Sequence, residues 1–232
     1  MNEKKSTDNK VLPIFAYTVT VRDVTGFFIP VLFFFICPDF NGKLVYTVIL
    51  LAIISERFWF SLFTSKEQNP LGVKEDWTFI AVGFSYTLMI ILITLDFYLT
   101  PFKKSLSLWT FTGAALFSLS FIIRRWAAKT LGRQWAIHLE SSDNMNRQLI
   151  QSGPYALCRH PIYCAAMIEV LSIPLLFQSY TVLFFSIFVC IPLQIKRTKY
   201  EETISLRIFG DKYRKYMITT RAFWPFPKSQ KR

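Results

Sequence analysis

The sequence predicts an all-α integral membrane protein, a multi-helix transmembrane bundle closed by a C-terminal helical hairpin. Three observations predict it. The chain of 232 residues is 52% apolar and 17% aromatic, with 24 Phe. Its charged residues, only 18%, cluster between long apolar runs. Of 27 Lys and Arg, all but Lys43, Lys103 and Lys104 fall on one side when the runs are threaded through a bilayer with the N-terminus inside. That asymmetry is the positive-inside signal of a spanning protein. The same numbers exclude a disordered chain, which is polar and poor in aromatics. Four cysteines are too few for a disulfide-stapled scaffold. The net charge of +12 follows the membrane topology and accompanies no nucleic-acid recognition motif.

A spanning helix needs about 20 mostly apolar residues. Candidates lie at 24–38, 44–63, 77–99 and 107–127, several with Trp or Tyr near their ends. The polar start, MNEKKSTDNK, lacks the basic-then-apolar pattern of a cleaved leader and reads as a cytosolic end. A fifth apolar run, 161–195, would be about 50 Å as one helix at ~1.5 Å per residue, too long for a hydrocarbon core of about 30 Å. Pro174, then Gln178, Ser179 and Tyr180, divide it into two short helices, 161–173 and 178–195, which return the chain to its starting side. One single span would instead strand the basic C-terminal region outside. A helix continues over 196–208, Gly210 stops it, and a short helix follows at 211–218.

Chemistry-bearing residues gather on the cytosolic side. In Gly153-Pro154-Tyr155-Ala156-Leu157-Cys158-Arg159-His160-Pro161-Ile162-Tyr163, Pro161 suits the first turn of a helix, so His160 falls at its N-cap. Arg159 and His160 then stand where backbone N–H groups and the helix dipole favour an anion. A second cluster, Arg197-Thr198-Lys199-Tyr200-Glu201-Glu202, spaces Arg197 and Glu201 for an i,i+4 pair. Each alone reads as a basic juxtamembrane turn or a solvated ion pair. An antiparallel hairpin brings them to one end, which favours a site over either motif alone. Glu56, Asp96 and Glu169 lie in or beside apolar helices, where ionisable groups face protein or water. Glu169, on the first hairpin arm, could face an acceptor lipid or bond a neighbouring helix. Cys37, Cys158, Cys164 and Cys190 show no metal-binding spacing and read as reduced packing residues.

Taken in order, Gly-Pro-Tyr-x3-Arg-His-Pro-x-Tyr, the apolar hairpin, Arg-x3-Glu-Glu and Phe209-Gly210-x2-Tyr213-x2-Tyr216 resemble the isoprenylcysteine carboxyl methyltransferase family and the wider group of phospholipid methyltransferases. Leu131-Gly132-Arg133-Gln134-Trp135 and Trp224-Pro225-x-Pro227 also fit, so the resemblance covers about residues 113–227. Three transmembrane helices over 1–106, read from the apolar runs, thus precede a methyltransferase core over 107–232, which the resemblance implies. The resemblance also implies S-adenosylmethionine as cofactor in a cytosolic pocket. Leu149, Gly153, Tyr155, Arg159, His160, Tyr163, Glu202 and Tyr213 would line it. Arg197 and Glu201 would act on the acceptor, and Glu169 would face it. One departure is Arg147, where the family commonly has His.

The implied reaction is methyl transfer to an amphiphilic acceptor at the membrane–cytosol interface, foremost carboxyl methylation of an isoprenylcysteine-like group. The implied partner is a lipid or prenylated acceptor from the bilayer, with no nucleic acid. The membrane would be the inner one in a bacterium, with both termini cytosolic. Phospholipid amine methylation, an NADPH-dependent membrane steroid or enone reductase, and a non-enzymatic scaffold stay open as alternatives. The reductase pattern usually has Asn-Tyr after the Pro, where Ile162-Tyr163 stands here. The oligomeric state is left open.

Overall fold

A computed structural model describes residues 31–36, 43–62, 77–100, 107–132 and 148–223. The described residues are helical, with no strands among them. The long helices are α1 (Lys43–Leu62), α2 (Trp77–Leu99), α3 (Leu108–Leu131) and α5 (Pro161–Leu176), with the one-turn α4 (Pro154–Leu157) before α5. The second hairpin arm comprises α6 (Tyr180–Phe185), a π-helical turn (Ser186–Cys190) and α7 (Ile191–Phe209), and α8 (Asp211–Thr219) follows. Helices therefore occupy the stretches expected at 44–63, 77–99 and 107–127. Of the expected span at 24–38, only 31–36 is described, and it is helical.

The hairpin forms, but its arms differ from the sequence expectation. Pro174 does not end the first arm, which continues to Leu176. A proline in a last turn forfeits one N–H, and only two more helical residues follow, so the break costs little. The chain reverses at Phe177, Gln178 and Ser179, with Gln178 at φ 53° and Ser179 N–H donating to Pro174 O at 2.8 Å. The second arm starts at Tyr180 rather than 178, and the helix expected to carry on over 196–208 does so. The arm runs unbroken over Tyr180–Phe209. Pro192 lies inside it, directly after the π turn. Widening the ladder there accommodates a residue that cannot donate to it.

Among the described residues, two stretches are long and apolar enough to cross a bilayer, Ile80–Leu99 and Tyr180–Phe209; Tyr46–Glu56 and Pro161–Leu176 are apolar but shorter. Only a third of each long stretch is buried inside the protein. Phe84, Phe188, Phe111 and Ile122 point outward. Such apolar outer faces need an apolar surrounding. The inner faces pack Leu50 and Ile53 of α1, Ile93 and Phe97 of α2, and Ile173 and Phe177 of the hairpin into one core.

α3 and α5 pack antiparallel at short range. A Cβ on Gly113 would lie 2.7 Å from Leu176 Cα and 2.8 Å from Ser172 O, so the two backbones meet only because Gly is there. Farther along the same interface, Arg124 is 1% exposed and Glu169 0% exposed. Their side chains pair directly. Arg124 Nη1 also donates to Glu56 Oε2 at 2.9 Å, and Tyr86 Oη donates to Glu169 Oε1 at 2.9 Å. This network joins α1, α2, α3 and α5. Removing Arg124 would leave the fully buried Glu169 without its counter-charge. Arg124→Ala should therefore destabilise the fold by about 3–5 kcal/mol. Thermal unfolding in detergent reads this, and an unchanged midpoint would refute it.

Candidate functional site

His160 is the N-cap of α5 and Pro161 its first residue. The cap conformation (φ −127°, ψ 59°) leaves the N–H groups of Arg159 and His160 outside the helix. They donate to Arg221 O at 2.9 Å and Ala222 O at 3.0 Å. Residues 220–223 thus form a strap across the start of α5. Arg159 reinforces it, because its Nη1 also reaches Thr220 O.

The antiparallel arms then set two carboxylates against this start. Arg159 Nε donates to Glu202 Oε1 at 2.9 Å, and His160 Nε2 lies 3.1 Å from the same oxygen. Since a carboxylate only accepts, Nε2 carries the proton in this contact. One turn into α5, Tyr163 Oη donates to Glu201 Oε1 at 2.6 Å. Arg197 Nε donates to Glu201 Oε1 at 3.2 Å and lies 3.3 Å from Tyr163 Oη. Arg159, His160 and Arg197 are buried, whereas both carboxylates stay partly exposed. The anion favoured at the helix start is thus the protein's own Glu202.

α8 closes the side. Gly210 takes φ 52° and ψ −126°, a region that side chains rarely adopt, and turns the chain from α7 into α8. α8 buries Tyr213 and Tyr216, whose rings meet edge to face at 5.9 Å. Tyr216 Oη donates to Tyr155 O, tying α8 to α4. Tyr213 lies beside Arg159 and Glu202. Burial, then the Glu202 charge, push its phenol up to about 12, while Arg159 pulls the other way. Burial likewise raises Tyr155 and Tyr216 well above an ordinary phenol.

Tyr155, Arg159, His160, Tyr163, Arg197, Glu201, Glu202 and Tyr213 therefore converge at one end of the hairpin. Other expected residues stand apart. Leu149 is half-buried in an irregular stretch. Gly153, at φ 59°, lies against α3, where an added Cβ would sit 3.0 Å from Thr130 Oγ1. Glu169 sits deeper, about 9 Å along α5 from Tyr163 at ~1.5 Å per residue, in the Arg124 network. Arg147 lies outside the described residues. The strap 220–223 carried no sequence signal, because it acts through backbone carbonyls. Tyr216 was visible only as part of a spacing.

Residues 113–207 match the model of the isoprenylcysteine carboxyl methyltransferase (ICMT) family. The match supports that family for this part of the chain and, with the apolar helices, supports membrane association. Two curated relatives are similar. An uncharacterized protein, YpbQ, of Bacillus subtilis (strain 168) is 35% identical over 95 residues, covering 40% of this chain and 55% of that protein. A cobalt-zinc-cadmium resistance protein, CzcN, of Cupriavidus metallidurans is 40% identical over 53 residues, covering 23% of this chain and 24% of that protein. The chain thus spans about half the length of the first of these relatives and a quarter of the second. Among the described residues, no group of three or more His, Cys, Asp or Glu could hold a metal ion.

Tyr213 gives a signed pH prediction. Its folded pKa is raised, so its contribution to stability is complete below about 10 and is lost as pH climbs toward about 12. Unfolding followed by circular dichroism should show this alkaline loss, and Tyr213→Phe should reduce it. An identical alkaline profile in the variant would contradict the placement of Tyr213.

Proposed function

We propose that the protein transfers a methyl group from S-adenosylmethionine to an amphiphilic acceptor at the membrane–cytosol interface, foremost to the carboxylate of an isoprenylcysteine-like group. The convergence of Arg159 and Glu202 with Arg197 and Glu201, inside the segment matching the ICMT family, carries this reading. The donor set fits the cofactor. Its amino-acid part is zwitterionic, and Arg159 and Glu202 offer adjacent opposite charges. Tyr155, Tyr163 and Tyr213 offer aromatic faces beside them, of the kind that attract cations such as a sulfonium. Leu149 and Gly153, which precede α4, would contribute backbone beside these residues, and Glu169 would act on the acceptor only through the Arg124 network that it joins.

When bound, the cofactor supplies an electrophilic methyl group. The protein's task is alignment, which can contribute several kcal/mol to such a displacement. Arg159 would hold the cofactor carboxylate and Glu202 its ammonium, with His160 fixing Glu202. Arg197 would hold the acceptor carboxylate through its fork. Glu201 and the Tyr163 hydroxyl orient that guanidinium. A carboxylate is already ionised at neutral pH, so no general base is needed. An amine acceptor would instead use Glu201 as base. In this reading both termini are cytosolic, residues 107–232 are the methyltransferase core, and the first helices hold it in the bilayer, where a lipid or prenylated acceptor approaches laterally.

The test is transfer of radiolabelled methyl from the cofactor into prenylcysteine analogues and phospholipid amines. Methyl ester formation is expected, recognised by release of volatile methanol in alkali. Arg197→Lys should cut kcat/KM by roughly tenfold or more, since Lys offers a point charge in place of a fork. Alkali-stable label would overturn carboxyl methylation, and no transfer to any acceptor would overturn the reading as a whole.

A further inference from the structure

Two cysteines bracket the charged cluster. Cys158 immediately precedes Arg159, and Cys164 immediately follows Tyr163. Their sulfurs are 3.7 Å apart. A disulfide needs about 2.05 Å, so closure asks each sulfur to move by less than an ångström or so. Cys158 sits outside the helix in extended backbone (φ −149°, ψ 154°). Cys158 is buried, but Cys164 is only half-buried, so the pair is open on one side. Cys164 Sγ also donates to Phe223 O at 2.8 Å, which pins the end of the strap.

We propose that Cys158 and Cys164 are an oxidisable dithiol, and that closing it to a disulfide loosens the strap 220–223 at the start of α5 by removing its tie at Phe223. With hydrogen peroxide as oxidant, the Cys158 thiolate attacks one peroxide oxygen. The O–O bond breaks, leaving a sulfenic acid and hydroxide. Cys164 sulfur then attacks the Cys158 sulfur. The S–S bond forms, the S–O bond breaks, and the Cys164 proton leaves with the oxygen as water. In sum, two thiols are oxidised to one disulfide and one peroxide is reduced to two waters. The disulfide has no S–H, so the bond to Phe223 O is lost. Arg221 and Ala222, which cap the Arg159 and His160 amides, are held one tie less firmly. Oxidation would thus act on the residues that gather the charged cluster.

The experiment uses the full chain in detergent, treated with hydrogen peroxide and digested with trypsin without reductant. Cleavage after Arg159 separates the two cysteines, so only a cross-link keeps their peptides together. The expected result is a Cys158–Cys164 linked peptide, absent in Cys158→Ser and Cys164→Ser and reversed by dithiothreitol. Tryptic cleavage after Arg221, which is exposed, should also become faster in the oxidised wild type and stay unchanged in peroxide-treated Cys164→Ser. Two thiols that stay alkylatable, or that oxidise separately without linking, would overturn the dithiol. A cross-link that leaves Arg221 cleavage unchanged would overturn its action on the strap. Neither readout uses a methyl donor, so this inference stands or falls apart from methyl transfer.

Discussion

One carboxylate oxygen, Oε1 of Glu202, sets the geometry of the polar end. It accepts from Arg159 on one side and His160 on the other. Charge-assisted bonds of this kind are about twice as strong as neutral ones, and here both donors are buried. The α5 N-terminus adds its own partial positive charge. Glu202 thereby fixes the end of one hairpin arm against the other, and Arg159 passes the constraint on to the strap through Thr220 O. Tyr213, Tyr216 and the parallel Arg197–Glu201–Tyr163 set then have a fixed frame to pack on.

This frame has a chemical consequence. The charges that assemble the end are those that a zwitterionic ligand would engage. Arg159 faces Glu202 as internal partner, so a bound carboxylate and ammonium would each exchange a protein partner for a ligand one. The exchange conserves charge, which keeps the desolvation cost low. The deeper network of Glu56, Arg124, Glu169 and Tyr86 differs in kind. It lies between four helices, with Arg124 and Glu169 fully buried, and joins them. The two polar groups are separated along α5, so the inner one can join the helices independently of the outer one.

Much of this was legible because it rested on local signals. Pro161 marked the start of α5, Gly210 marked the end of α7, and antiparallel return implied that His160 and Arg197 would meet. The first arm runs past its local breaker, to Leu176 rather than 173. Pro174 stays helical because the turn follows at once, and Pro192 is absorbed by the π turn of Ser186–Cys190. The strap was invisible because backbone carbonyls have no residue identity. Arg124 read as one more charge on the cytosolic side, since nothing in its spacing shows that Glu169, on another helix, lies opposite. Glu169 itself was flagged by its polarity in an apolar run, but polarity alone does not name a partner.

The most direct test of the central claim is calorimetric titration of S-adenosylhomocysteine into the detergent-solubilised full chain, wild type beside Glu202→Gln. The amide keeps the size of Glu202 but removes its charge. Saturable binding by the wild type, lost in a variant of unchanged helicity, is the expected result. A folded wild type that binds nothing, or a Glu202→Gln variant that binds as tightly as the wild type, would contradict it.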